Sequence, residues 1–203
     1  IAILRSAGLV VTTPGRGVFV PKRPPVRRIS SERYRADADP QDTPSTSFTA
    51  DQGITWQEYR LDKAYRWIEA DERLAELFGV EVDTRVLERR FVFYAKGDPS
   101  QMSRPCLLAS DVEGTPVADP DREPWPGGTI AQLRSIGIEI DDITESVTAR
   151  MPTPEEAVTL RIGGGVPVFA ITRRMLAGGR VVEVADPIVI PADRAILDYR
   201  IQL

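Results

Sequence analysis

Apolar residues recur along the chain with two periods, and each period predicts its own kind of element. Strand-like runs rich in Val, Ile, Thr and Phe come as pairs about turn signals. The first pair, Leu9–Thr12 and Val18–Val20, flanks Pro14-Gly15-Arg16-Gly17. The stretch "TRVLERRFVFYAKGDPSQMSRPCLLAS" predicts two strands about Lys96-Gly97-Asp98-Pro99, and "VPVFAITRRMLAGGRVVEVADPIVIP" predicts a hairpin turning at Ala177-Gly178-Gly179-Arg180. Single strands are expected in "IEIDDITESVTARM" and "RAILDYRIQL", and "TSFTADQGITWQEYRLDKAYRWI" reads as an irregular stretch leading into a strand.

Helical spacing is shorter and better capped. "ADERLAELFGV" has Asp71 as N-cap, Leu74, Leu77 and Phe78 on one face and Gly79 at its end. "PWPGGTIAQLRSIG" is entered through Gly127-Gly128, with Thr129 near the cap, and left at Gly137. "TPEEAVTLRIG" holds the clearest start signal: Thr153 as N-cap, Pro154 at the first helical position and Glu156 closing a capping box. The opening "IAILRSAG" fits the last turns of a helix ending at Gly8. With no initiator Met, the chain is expected to be a fragment, or the ordered part, of something longer. Antiparallel strands broken by three short helices predict an α+β fold.

Between hairpin and body lies "PKRPPVRRISSERYRADADPQDTPSTS", rich in Pro, Arg, Ser and Asp and without a hydrophobic period, which reads as a linker. The expected organisation is therefore 1–21, 22–45 and 46–203. Charge divides the same way. Residues 1–35 carry eight basic side chains against Glu32 alone, a charge of +7. The remainder carries −11, and the two give the chain's −4. A basic head on an acidic body suggests that the head meets a polyanion.

Composition narrows the chemistry. The chain of 203 residues contains no histidine, which removes the usual general base, the usual zinc ligand and every Ser-His or Cys-His nucleophile. No catalytic residue, metal or cofactor is expected. The single cysteine, Cys106, excludes an internal disulfide and reads as a small buried hydrophobe. No run approaches the roughly 18–20 apolar residues that cross a bilayer, and no export signal is seen, so a cytoplasmic location without membrane contact is expected.

A hairpin tip of Gly-Arg-Gly inside a basic segment reads either as a good turn with a solvated arginine or as a DNA-binding wing. "AILRSAGLVVTTPGRGVFV" resembles the end of the recognition helix and the wing of GntR-type winged helix-turn-helix regulators. "VLERRFVFYAKGDPSQMS", "RMPTPEEAVTLRI", "GVPVFAITRRM" and "GGRVVEVADPIVIPADRAILDYRI" resemble, in that order, the UTRA domain of the HutC subgroup of that family. The resemblance implies a chorismate-lyase-like antiparallel sheet with packed helices, preceded by a remnant of the DNA reader. It also implies a dimeric, effector-controlled repressor that binds a DNA operator through Thr12, Thr13, Gly15, Arg16 and Gly17. Two rivals remain: a chorismate-lyase-like enzyme, and a DNA-independent ligand-binding or dimerisation module.

The same resemblance nominates effector-binding residues. In sugar-phosphate-sensing relatives, two arginines on alternate positions of the strand before the "DG-P" turn clamp the phosphate. Here those positions hold Phe91 and Phe93, with Arg89 the one cation left on that strand face. Phe91 and Phe93 read either as core residues or as the lining of a cleft for a flat, apolar or aromatic ligand rather than a sugar phosphate. Ser47 and Phe48 match an effector-touching loop or read as a linker end. Ser103 falls where relatives carry a ligand-binding acid, Gln101 shares its strand face and Glu183 matches another contact, each reading otherwise as a sheet-surface or satisfied structural residue. "SRPCLL" departs from the family pattern at positions 104–106. Gly127-Gly128-Thr129 reads as a plain helix start or as amides for an anion, and Arg27-Arg28 as a solvated run or as contacts to the DNA backbone.

Overall fold

The capping signals operate where the sequence places them. In the computed structural model, which describes residues 1, 3–4, 10–13, 17–19, 26–29, 33–34 and 44–199, Asp71 accepts from the Leu74 amide at 2.8 Å and Gly79 closes the helix Glu72–Phe78 with φ of 72°. Thr153 and Glu156 form their reciprocal box at the start of Pro154–Thr159. Each removes orphan amide groups from the first turn of its helix.

In chain order the elements are β1 (Val11–Thr13), β2 (Gly17–Phe19), β3 (Val26–Ile29), α1 (Ser47–Gln52), β4 (Tyr59–Glu69), α2 (Glu72–Phe78), β5 (Arg85–Ala95), β6 (Asp98–Leu108), α3 (Ala109–Val112), α4 (Gly128–Ser135), β7 (Asp142–Arg150), α5 (Pro154–Thr159), β8 (Val168–Ala177), β9 (Arg180–Pro191) and β10 (Ala195–Asp198). Six strands form one antiparallel sheet in the order β4-β5-β6-β9-β8-β7, so the fold is α+β, as the pattern predicts. β1 and β2 pair antiparallel, placing the expected hairpin, while the tip residues Gly15 and Arg16 and the helix end at Gly8 lie outside the described residues.

Each face of the sheet carries its own core. On one, Leu74, Ala75 and Phe78 of α2 pack on Val86, Cys106, Leu108 and Val184. On the other, Leu133 of α4 packs with Leu87, Leu107, Val112 and Met175. Burying one such Leu or Phe contributes about 2 kcal/mol, so these short helices are held by packing more than by propensity. Cys106 lies in the first core, and burial pushes its thiol up to about 12, as expected of a small hydrophobe.

Three elements differ from the sequence reading. The stretch ahead of β4, irregular by its sequence pattern, contains α1, whose capping box pairs Thr46 with Thr49 and whose end is Gly53 in the left-handed region. A threonine at the third helical position is a weaker signal than Glu or Gln, and six residues are too few for a period. α3 was likewise too short to show. Within the expected linker, Val26–Ile29 forms a strand parallel to Ala195–Asp198. Arg28 is neither solvated nor free for a DNA backbone: it is 3% exposed and donates to both carboxylate oxygens of Glu145. Arg27 is exposed and paired with Asp198 at 2.6 Å.

Candidate effector-binding cavity

Alternation along the strands sets the floor of a cavity of about 510 Å³ on the α4 side of the sheet. Register places Leu61 opposite Phe93, Phe93 opposite Gln101, Phe91 opposite Ser103 and Ser103 opposite Ile188. These side chains share one face by the two-residue period. α1 lies over this floor and brings down Phe48. Its ring centroid is 5.1 Å from that of Phe93 and 5.6 Å from that of Tyr59, and Phe91 stands edge-on to Phe93 at 5.8 Å. The result is an aromatic box on the cavity floor.

Gln101 and Ser103 are both 7% exposed, line the cavity, and form no side-chain hydrogen bond with any other described residue. Buried polar side chains are normally satisfied. An amide and a hydroxyl left unpaired beside an aromatic box are equipped to receive a ligand's donors and acceptors.

The residues nominated from sequence thus divide. Ser47, Phe48, Phe91, Phe93, Gln101 and Ser103 meet around the one cavity. Arg89 and Glu183 do not line it, and both are wholly buried. Arg89 donates to Gln132 Oε1 at 2.7 Å and to Thr129 Oγ1 at 3.1 Å. Glu183 accepts from Arg173 at 2.6 Å and lies 3.9 Å from Arg89. Of the DNA-contact candidates, Thr12, Thr13 and Gly17 lie in β1 and β2.

Gly127 to Thr129, at the head of α4, form part of the wall. Gly127 has φ of 80°, and a Cβ there would fall 2.6 Å from the Ala131 Cβ, so glycine is required for the helix to start at the cavity rim. Beside it, Glu123 accepts from Tyr65, Gln132 and the Trp125 amide, which leaves its carboxylate occupied.

Four residues that the sequence reading missed belong to the site. Arg33 lines the cavity, is ion-paired with Asp51 of α1, and donates to Ser47 Oγ at 3.3 Å. Burial lowers the affinity of the Arg33 guanidinium for its proton and raises that of Asp51. Tyr34 and Arg173 also line it. The visible clue to Arg173 was its alternation with Ile171 and Met175 on a strand: a cation on the core-facing side of an apolar period. No local signal marked Arg33 or Tyr34, because their partners lie in α1, β7 and β8 and in β3, a strand that itself forms only by distant pairing. A second cavity of about 320 Å³ meets the first at Arg33, Phe48, Asp51 and Gln101.

The model of the UTRA domain matches residues 64–194, from within β4 to beyond the end of β9, and so takes in Phe91, Phe93, Gln101 and Ser103 of the cavity floor. The chain belongs to the UTRA family. This UTRA chain is 29% identical, over 90% of its length and 69% of the relative's, to an uncharacterised HTH-type transcriptional regulator of Streptomyces coelicolor. It superposes along its whole length on 79% of a crystallised protein assigned to the GntR family of transcriptional regulators, at 29% identity and a TM-score of 0.74. The C-terminal domain of the histidine utilization repressor from Pseudomonas syringae shares the fold, with a TM-score of 0.62 at 20% identity over 71% of this chain and 99% of that one. The proteins that this UTRA chain resembles are thus HTH-type and GntR-family transcription regulators. No helix among the described residues is long and apolar enough to cross a membrane.

Proposed function

We propose that this UTRA chain is the effector-sensing part of a DNA-binding repressor of the HutC type, non-enzymatic, dimeric and cytoplasmic. Its cavity binds a small organic molecule and thereby alters operator affinity, an allosteric coupling between two distinct sites. The observation that carries this reading is the convergence of Phe48, Phe91 and Phe93 with Gln101 and Ser103, whose polar groups have no partner among the described residues. Aromatic walls favour a flat, apolar or aromatic effector over a sugar phosphate. Residues 1–21 serve as the end of a recognition helix and a wing, residues 22–45 connect, and residues 46–203 sense. Within the wing, Thr12, Thr13 and Gly15 to Gly17 contact the DNA backbone and minor groove, which makes operator affinity fall with salt.

A thermal-shift screen of small aromatic metabolites on the chain tests the cavity. Hits are expected whose stabilisation is lost in Phe93→Ala and weakened in Gln101→Ala. Hits indifferent to both substitutions, or a response to sugar phosphates alone, would overturn the reading. For the wing, Arg16→Ala in the intact regulator is expected to weaken operator binding and flatten its salt dependence.

A further inference from the structure

The polar atoms beside the cavity form one connected set, in which Glu183 is the one carboxylate that two of the buried arginines face directly. Glu183 stands between two buried guanidiniums. Its Oε1 takes the Nε and Nη2 of Arg173, at 3.2 and 2.6 Å, while Oε2 is 3.9 Å from Arg89 and accepts no hydrogen bond. The remaining partners of Arg89 are neutral: Gln132 and Thr129. The remaining partner of Arg173 is also neutral, the Tyr34 hydroxyl, 3.2 Å from Nη1. Two cations therefore directly meet one carboxylate, while a second, Glu123, is joined to Arg89 only through Gln132, in a buried site where an uncompensated charge is costly.

Arg173 is the member of this set that reaches the cavity. Three of its five N–H donors are used, two on Glu183 and one on Tyr34. Register sets it opposite Ala185, which in turn faces Pro105, two positions along β6 from Ser103. An anion at Arg173 and a ring in the Phe48–Phe91–Phe93 box are thus compatible with one small molecule.

The Tyr34 hydroxyl sits at a junction. It donates to Glu145 Oε1 at 2.7 Å and accepts from Arg173 and, at 3.3 Å, from Arg28. Arg28 belongs to β3, so the hydroxyl joins the cavity wall to the segment that connects wing and body. A charged acceptor forms roughly twice as strong a hydrogen bond to a guanidinium as a neutral one. A ligand carboxylate would therefore outcompete the phenol oxygen for Arg173.

We propose that Arg173 anchors the carboxylate of an aromatic acid in the cavity and that this ligand displaces the Tyr34 hydroxyl, loosening the seat of Val26–Ile29 on the body. The proposal rests on the effector reading above and adds to it the charge of the ligand and the route by which occupancy is felt outside the cavity.

The test uses the whole chain with benzoate, phenylacetate and 3-phenylpropionate, each beside its primary amide. Affinity is measured by calorimetry, and backbone hydrogen exchange is followed over residues 26–29. At least one acid should bind tenfold or more tightly than its amide and speed exchange of Val26–Ile29 severalfold. Arg173→Gln should abolish the preference for the acid. Since that change also strips a partner from Glu183, Tyr34→Phe provides the second test. It should bind the acid about threefold more tightly than wild type, and exchange should no longer respond to ligand. Acids no tighter than their amides, binding by neither included, a preference that survives Arg173→Gln, or exchange unmoved by a bound acid would overturn the proposal. Neutral hits lost on Phe93→Ala would overturn it while leaving the cavity as the effector site.

Discussion

Two glutamates are wholly buried on opposite faces of the same sheet, and they are compensated in opposite ways. Glu88, on the face that α2 covers, is met by Arg66, Arg90 and Arg104, all of them about half exposed, with Arg104 at 2.5 Å. Its cations outnumber it, but they reach it from water and keep most of their hydration. Glu183, on the cavity face, is met by Arg89 and Arg173, both buried, and one of its oxygens accepts nothing. Cys106 and Leu107, adjacent on β6, stand opposite Glu88 and Glu183 respectively, so the two sites lie within one strand crossing of each other. The outer site is closed electrostatically at little cost. The inner one leaves Arg173 with two N–H donors unused next to a cavity, and an anion entering that cavity would take them.

The largest expected effect separates the two sites directly. Glu183→Gln leaves two buried arginines without a carboxylate and should cost about 3–5 kcal/mol of stability. Glu88→Gln frees three arginines that water can solvate and should cost about 1–2 kcal/mol. Urea midpoints of the two variants measure the difference, and equal losses would remove the contrast.

Next in size is an acid limb from Glu145. Burial alone would raise its pKa, but the hydrogen bond and charge of Arg28, the Tyr34 hydroxyl and the charge of Arg173 outweigh it and pull the carboxyl down to about 2. A depressed folded-state pKa gives stability that is present above the unfolded value near 4.5 and is lost as pH falls towards 2. The loss should be on the order of 3 kcal/mol. In Glu145→Gln this part of the acid limb should vanish, leaving a shallower fall in thermal midpoint between pH 5 and 2. An unchanged limb would mean that β3 is not held through this pair.

Smaller again, Asp71→Ala should cost about 1 kcal/mol by uncapping α2. It touches only the outer face, so ligand affinity should stay as in wild type. The smallest effect belongs to Arg66→Ala: with Arg90 and Arg104 still on Glu88, the change should stay within about 1 kcal/mol. A larger loss there would make the outer face as finely balanced as the inner one.

Local chemistry was readable in the sequence, and chemistry made by distant pairing was not. The caps at Asp71 and Thr153, the glycines at 127 and 128 and the turn at Lys96-Gly97 act within a few residues, and each lies where the pattern put it. The pairing of Val26–Ile29 with Ala195–Asp198 joins segments about 170 residues apart, and "VRRI" has no alternation to betray a strand. Phe91 and Phe93 could be placed on one strand face from their spacing, but which face looked into a cavity depended on α1, whose Phe48 closes the box. Arg89 was placed on the Phe91 strand face by its spacing and Glu183 by family resemblance. Both are wholly buried and neither lines the cavity, because each is engaged by side chains from other elements.

The most direct measurement is a crystal structure of the chain with a thermal-shift hit bound. The ligand's ring is expected between Phe48, Phe91 and Phe93, with polar atoms within hydrogen-bond distance of Gln101 or Ser103. A ligand bound elsewhere, with this cavity left as it is, would contradict the assignment of the effector site.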